Sequence, residues 1–487
     1  MDYILRSIIN IAIVGMVIFP EESEMKKEHH VHNGTCPLQG SSNSSIDHII
    51  IKKGEEFNWE RSQIGLVLSA FFYSFIGSQL IGGILAKKFS AKNVIAVTLL
   101  TASILTILVP ICARANVNLL ILNRVAHGLV MGIFNPVIAH LASHWAPEQE
   151  KNLIISLPYC GTYIGVVLSS QATGFLSEFG FAGGWPSSFY LFGIVGIVWT
   201  IGWFLFVFDS PTLHPTILPV EKEYIKLNCH STMGLEKFRF RDVPWLKMAT
   251  NLPFIAFCLS QMSFNWNYYS IQVGLPIYLN DVLHMSLSLN GLLTSLPYFI
   301  TMVTIVTTAP LSDFAIAKTK STKLVRKCFF AGGMILSSIC LLLISPVGCN
   351  IPLIICFFCL AVGFLGVAHN GWIVNHIDIA PQMASVSMAI GTLLGSFSGL
   401  FTPIVNGIIT NEESTISTWQ TVFSISAAVS IFGAGFFVIF ADDKIQQYAT
   451  LRSRSTIEKL EKTLTETTIL GIFETDVVDV DDTVNAN

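Results

Sequence analysis

Charge is scarce in this chain. Only 12% of its 487 residues are Asp, Glu, Lys or Arg, about half the share that soluble domains carry. A soluble enzyme is therefore excluded. No GxxxxGK[ST] phosphate loop occurs, which removes the ATP-driven pumps. No HExxH and no dense Cys/His cluster occurs, so no resident metal or cofactor is expected. Net charge is −4 with no basic domain, which argues against a nucleic-acid partner. A repeated arginine helix of the voltage-sensor kind is missing too. Ten cysteines are present without a CxxC. Most, such as Cys340, Cys356 and Cys359, lie in apolar runs, and only Cys36 lies in the long early loop, so no disulfide framework is expected.

What the chain has is apolar length. Hydrophobic residues make up 52%, and the mean hydropathy is +0.61. Apolar segments run at about 3–20, 62–85, 93–113, 118–142, 153–178 and 186–208, then at about 247–270, 288–311, 328–346, 352–374, 384–409 and 420–440. Most are long enough to cross a bilayer. The fold class is an all-α polytopic membrane protein with twelve transmembrane helices in two six-helix halves, 1–208 and 247–441. A polar connector, 209–246, separates the halves, and a polar tail, 442–487, contains a possible short surface helix at 455–468.

Loop charges orient this set. Lys87, Lys88 and Lys92 follow the second segment; Lys222, Lys226, Lys237, Arg239, Arg241 and Lys247 lie in or beside the connector; Lys318, Lys320, Lys323, Arg326 and Lys327 follow the eighth segment. The opposite loops near 179–185, 347–351 and 410–418 hold no lysine or arginine. The positive-inside rule places the basic loops and both termini in the cytosol. The 21–61 loop then lies outside or in a lumen, in agreement with its glycosylation sequons at Asn33 and Asn43.

Two six-helix halves without an ATP site point to a secondary transporter with its site near the midplane. Arg124 stands about ten ångströms into the fourth span, at 1.5 Å rise per residue. A charge facing lipid there costs a few kcal/mol or more, so it faces a partner or a water-filled cavity. It either bonds neighbouring carbonyls or meets a substrate. Gly128, Gly132, Pro136 and His140 follow at spacings of four, and Gly391, Gly395, Gly399 and Gly407 mark the eleventh segment, where a neighbouring helix can approach closely. Segment seven carries Asn265, Asn267, Tyr268 and Tyr269, whose amides and phenols either bind an anionic or sugar-like solute or form an interface belt. His127, His140 and His369 are the intramembrane groups that can titrate near neutrality, and each is equally read as a hydrogen-bonded core histidine.

These residues resemble the anion:cation symporter family, which includes sialin, the vesicular glutamate transporters and the type I sodium–phosphate transporters of the major facilitator superfamily. The resemblance runs from about Leu5 to Ala449. It rests on Arg124 with Gly128, Gly132 and Pro136, on Trp145-Ala-Pro147, Gly184-Trp-Pro186 and Asn290-Gly291 with Leu296-Pro-Tyr298, and on Asn375-His-Ile-Asp-Ile-Ala-Pro381 and Trp419-Gln420. There are departures. Met131 stands where relatives resembling sialin have a glutamate, and Ala139 where they have a histidine, with His140 next to it. In the first loop motif Gly83, Leu85 and Lys92 fit, but Lys87 replaces the aspartate; Asp313 is the corresponding acidic residue of the second half. The resemblance also implies a longer first helix that would put Arg6 at mid-helix; the start reads either as an incomplete gene model or as a real short isoform.

The resemblance implies alternating-access transport of a small organic anion, a carboxylate of the sialic-acid or acidic-amino-acid type, coupled to H+ or Na+. Sodium-dependent phosphate cotransport and a non-transporting sensor or scaffold are the alternatives. The substrate-binding set is Arg6, Arg124, Asn265, Asn267, Tyr268 and Tyr269; the coupling set is His140, His127 and His369; the gating set is Gly83, Lys92, Asp313, His376 and Asp378. The membrane is the plasma membrane or a lysosomal or vesicular one. The sequence leaves the oligomeric state open.

Overall fold

Short polar residues cut the apolar chain into helices. Ser90, Asn251, Ser286, Ser321, Asn350 and Thr415 each accept a hydrogen bond from a backbone N–H in the first turn of the helix that follows, satisfying donors that a helix start leaves orphaned. The computed structural model describes residues 1–17, 35–36, 56–145, 151–228, 244–380, 383–411 and 413–449. Asn33, Asn43 and the 455–468 segment lie outside the described residues.

Among the described residues twelve long helices result. They are α1 (Asp2–Met16), α2 (Arg61–Lys88), α3 (Ala91–Ala115), α4 (Val117–Trp145), α5 (Lys151–Phe179) and α6 (Pro186–Phe206) in the first half. The second half holds α7 (Leu252–Asp281), α8 (Leu287–Thr319), α9 (Thr322–Ile344), α10 (Ile351–Trp372), α11 (Ala384–Ile409) and α12 (Ile416–Phe440). Among the described residues, eight of them are long and apolar enough to cross a membrane on length and composition. The other four are α1, α2, α5 and α7. Helix α1 has only 15 residues.

The two halves pack alike. In the first, α2 lies on α4, α3 on α4 and α6, and α1 on α5; in the second, α8 lies on α10, α9 on α10 and α12, and α7 on α11. Adding six to each helix number turns one set of pairs into the other. The seam obeys the same rule, with α2 on α11 and α5 on α8. At both places backbones meet where a side chain has no room. A Cβ on Gly407 would lie 2.7 Å from the Arg61 carbonyl oxygen, and one on Gly174 would lie 2.8 Å from the Gly291 Cα.

Two expectations need correction. Helix α7 does not stop near residue 270 but runs through Pro276 to Asp281, and α8 runs through Pro297 and Pro310 to Thr319, which puts Asp313 on a helix rather than in a loop. A disulfide also joins Cys36 to Cys349, 313 residues apart, at the turn between α9 and α10. Neither cysteine has a partner nearby in sequence, so spacing could not show the pair. Cys36 is buried, and its N–H donates to the Val282 carbonyl at 3.1 Å. The early loop is thus fastened to the second half. Short connections make consecutive helices antiparallel, so the end of the bundle holding Cys36 also holds the starts of α2 and α8 and the ends of α5, α7 and α11.

Candidate functional site

The centre of the seam holds two buried guanidinium groups. Arg6 comes from α1 and Arg124 from α4, with 8% and 3% exposure. Both lie against one ring, the Arg6 guanidinium 4.8 Å and the Arg124 guanidinium 5.4 Å from the Phe71 centroid. Phe72, Phe75, Tyr3 and Tyr269 also surround Arg6, at 4.9 to 5.5 Å. Aromatic faces attract a cation, but they do not cancel its charge. Arg6 Nη2 donates to the Tyr269 hydroxyl at 2.9 Å, from the first half to the second. Arg124 Nη1 bonds His127 Nδ1 at 3.2 Å. Neither arginine forms an ion pair among the described residues. Asp2, one turn before Arg6 on α1, lies within electrostatic reach of it but forms no ion pair with it among the described residues. Met131, one turn beyond His127 on α4 and buried, supplies no charge.

Tyrosines of the second half complete the cluster. Tyr268 packs on Tyr269 and Tyr298, and the hydroxyls of Tyr268 and Tyr298 are buried without a hydrogen-bond partner. Tyr298 and the Phe71 and Phe72 rings were absent from the sequence-based set. Aromatic residues are common in any apolar helix, so their types alone could not single them out.

The remaining expected residues are dispersed. Asn265 is half-buried and packs against Gly395 of α11. Asn267 does not face the arginines, contrary to the binding expectation: its amide donates to Ser337 and Ser430 at 3.2 and 3.1 Å, inside the second half. His140 lies about 24 Å along α4 from Arg124, at 1.5 Å per residue, and is half-buried. His369 stacks among Phe264 and Trp372 inside the second half.

The gating residues occupy the end of the bundle opposite Cys36. Gly83 lies in the last turns of α2. The Lys92 N–H donates to Asp209 at 2.8 Å, and its ammonium lies 4.5 Å from the Phe208 ring. Asp209 also accepts from the Ser90 hydroxyl, so it holds the start of α3. In the second half Asp378, not Asp313, takes the ion pair: Arg326 donates to Asp378 at 3.3 Å and to the Asn370 carbonyl at 3.1 Å, while Asp313 is exposed. His376 is buried against Phe257.

At the Cys36 end polar contacts tie the halves together. Arg61 of α2 is ion-paired with Asp281 of α7. Asp281 also accepts from Ser414 at 2.8 Å. The Ser62 N–H donates to Asn411 at 3.2 Å, and the Ser288 N–H donates to Glu178 at 2.8 Å. Each of the two seam helices that starts here, α2 and α8, is therefore capped by a side chain from the opposite half. The space left among Arg61, Ile64, Asn406 and Trp419 is about 20 Å³, room for one water. Deeper in the seam, Gln79 bonds Ser396 and Gln171 bonds Ser295.

Comparison with known proteins agrees with this layout. The Major Facilitator Superfamily pattern matches residues 38–403. Human sialin is 32% identical over 448 residues, covering 92% of this chain and 88% of sialin. Human vesicular glutamate transporter 2 is 34% identical over 405 residues, covering 82% of this chain and 68% of that protein. The crystal structure of a D-xylose–proton symporter has a TM-score of 0.63 at 12% identity, covering 91% of this chain and 94% of that one, and an inward-open structure of the xylose transporter of E. coli has a TM-score of 0.61. At such identity these structures speak to the fold alone. The chain is a membrane transporter, not an enzyme, and it belongs to the anion:cation symporter family of the major facilitator superfamily.

Proposed function

We propose that this protein is a secondary active transporter of a small organic anion, a carboxylate of the sialic-acid or acidic-amino-acid type, driven by a gradient of H+ or Na+ through alternating access. The observation that carries the reading is the pair Arg6 and Arg124, two buried guanidinium groups beside one ring with no ion-paired carboxylate. A buried charge without a partner is costly, and a midplane charge doubly so. An anion entering between the halves supplies the missing charge, and a guanidinium fork fits a carboxylate with two parallel hydrogen bonds. The free hydroxyls of Tyr268 and Tyr298 suit a polar organic body. The vesicular glutamate transporters, as their name states, carry such a molecule, which favours this class over phosphate. Sodium-driven phosphate transport is the second reading, favoured by Met131 and Ala139 in place of the ionisable residues of relatives resembling sialin.

The polar contacts that cross the seam at the Cys36 end, and the Arg326–Asp378 pair confined to one half at the opposite end, support a state closed on one side. We assign the Cys36 end to the lumen or the cell exterior. Disulfides persist in oxidising compartments, and the sequon loop and the lysine-free turns are on the same side. Both termini are then cytosolic, and the membrane is lysosomal, vesicular or plasma. The test is uptake into proteoliposomes of sialic acid, glutamate and inorganic phosphate, with sodium and proton gradients imposed separately. Saturable uptake of sialic acid or glutamate supports the reading. Uptake of phosphate alone selects the second reading, and no uptake of any probe selects a non-transporting role.

A further inference from the structure

His127 is bonded in a way that fixes its proton. Arginine has five N–H donors and no acceptor. The 3.2 Å contact from Arg124 Nη1 therefore requires a bare, accepting Nδ1 on His127. The imidazole is then neutral, with its hydrogen on Nε2. Among the described residues, that Nε2 is buried without a hydrogen-bond partner, and so is the adjacent Arg124 Nε. His127 is 2% exposed and meets the Phe71 ring edge-on at 5.8 Å, the ring that both guanidinium groups share. A cluster with two unanswered N–H donors and no acceptor to meet them is built for an acceptor-rich guest.

We propose that His127 is a substrate-binding and positioning residue of the anion site: its Nδ1 holds the Arg124 fork in place and its Nε2–H donates to an oxygen of the carried anion. This rests on the anion-transport reading above. It also assigns His127 to affinity rather than to proton coupling, because accepting from Arg124 and carrying a second proton exclude each other at Nδ1.

Amide substitutions separate the two ring nitrogens. The Gln amide nitrogen reaches roughly the place of Nε2, so His127→Gln keeps the far donor. The Asn oxygen reaches roughly the place of Nδ1, so His127→Asn keeps the partner of Arg124 and loses the far donor. His127→Leu loses both. Uptake of sialic acid and of glutamate into proteoliposomes, with KM and maximal rate resolved, is measured for the parent and the three variants, and size-exclusion profiles verify folding. We expect His127→Gln, which loses only the Arg124 contact, to raise KM by a few-fold, His127→Asn, which loses the donor to the anion, to raise it by about tenfold or more, the loss of one charge-assisted hydrogen bond, and His127→Leu, which loses both, to raise it most. Unchanged KM in folded His127→Asn and His127→Leu overturns the inference while leaving the anion site standing. Loss of maximal rate in His127→Gln at parental KM also overturns it, in favour of a coupling role. A parent that takes up neither probe overturns the anion-site reading and this inference with it.

Discussion

Arg61, the first residue of α2, is ion-paired with Asp281, the last residue of α7, across the seam between the halves. Their side chains are 9% and 1% exposed. Removing one partner of a buried pair costs about 3–5 kcal/mol, because the other charge is stranded. Here that cost falls on the closed state. Opening the Cys36 end lets water reach the remaining charge. Arg61→Ala is thus expected to shift the protein toward the state open at that end. A single cysteine placed at Ile64 should react with a membrane-impermeant thiol reagent several-fold faster in Arg61→Ala than in the parent. Equal labelling rates would show that the pair does not hold the seam shut.

The disulfide makes a prediction about connectivity. Cys36 belongs to the first half and Cys349 to the second. A protease site inserted at residues 229–243 and cut in the purified protein should leave one band of about 53.5 kDa without reductant and two fragments with it. Separation without reductant would exclude the link. Cys36→Ser and Cys349→Ser should lower thermal stability alike, by about 2–4 kcal/mol.

Tyr269 accepts from Arg6 across the seam. Tyr269→Phe removes the acceptor and keeps the ring. One hydrogen bond to a charged group contributes roughly 1.5–3 kcal/mol, so KM for the transported anion should rise by about tenfold or more. A parental KM in the Phe variant would mean that Tyr269 only packs against Arg6.

How far this arrangement was legible depends on the kind of signal. The helices could be read because the apolar runs are long, six of them starting at a capping Ser, Asn or Thr, and the connector because its polarity breaks the pattern. The far end of α7 could not, since Pro276, Asn280 and Asp281 resemble a loop until packing buries them. Arg124 announced itself as a charge in an apolar span, and Arg6 through the family resemblance. Asn267 misled because a polar residue in a span can equally bond its own half, here through Ser337 and Ser430. Arg61 with Asp281, and Cys36 with Cys349, are contacts between residues 220 and 313 positions apart. No local pattern encodes such pairs.

Coupling divides the histidines. His127 is engaged with Arg124, and His369 lies within the second half. His140 is the half-buried histidine of α4, and we propose it as the coupling group. Proton-driven uptake without sodium is expected to be lost in His140→Gln. Intact proton-driven uptake in that variant would remove His140 from the coupling path. If the parent needs sodium at constant pH, sodium is the driving ion for the whole protein.

If Arg124 meets the carried anion, uptake depends on its guanidinium, and transport by Arg124 variants measures that dependence. Arg124→Ala and Arg124→Lys are reconstituted beside the parent, with monodispersity and membrane insertion verified. Lysine restores the charge as a point but not the planar fork. The account predicts saturable sialic acid or glutamate uptake by the parent, none above background in Arg124→Ala, and less than about a tenth of the parental rate in Arg124→Lys. Parental uptake by folded Arg124→Ala would contradict it.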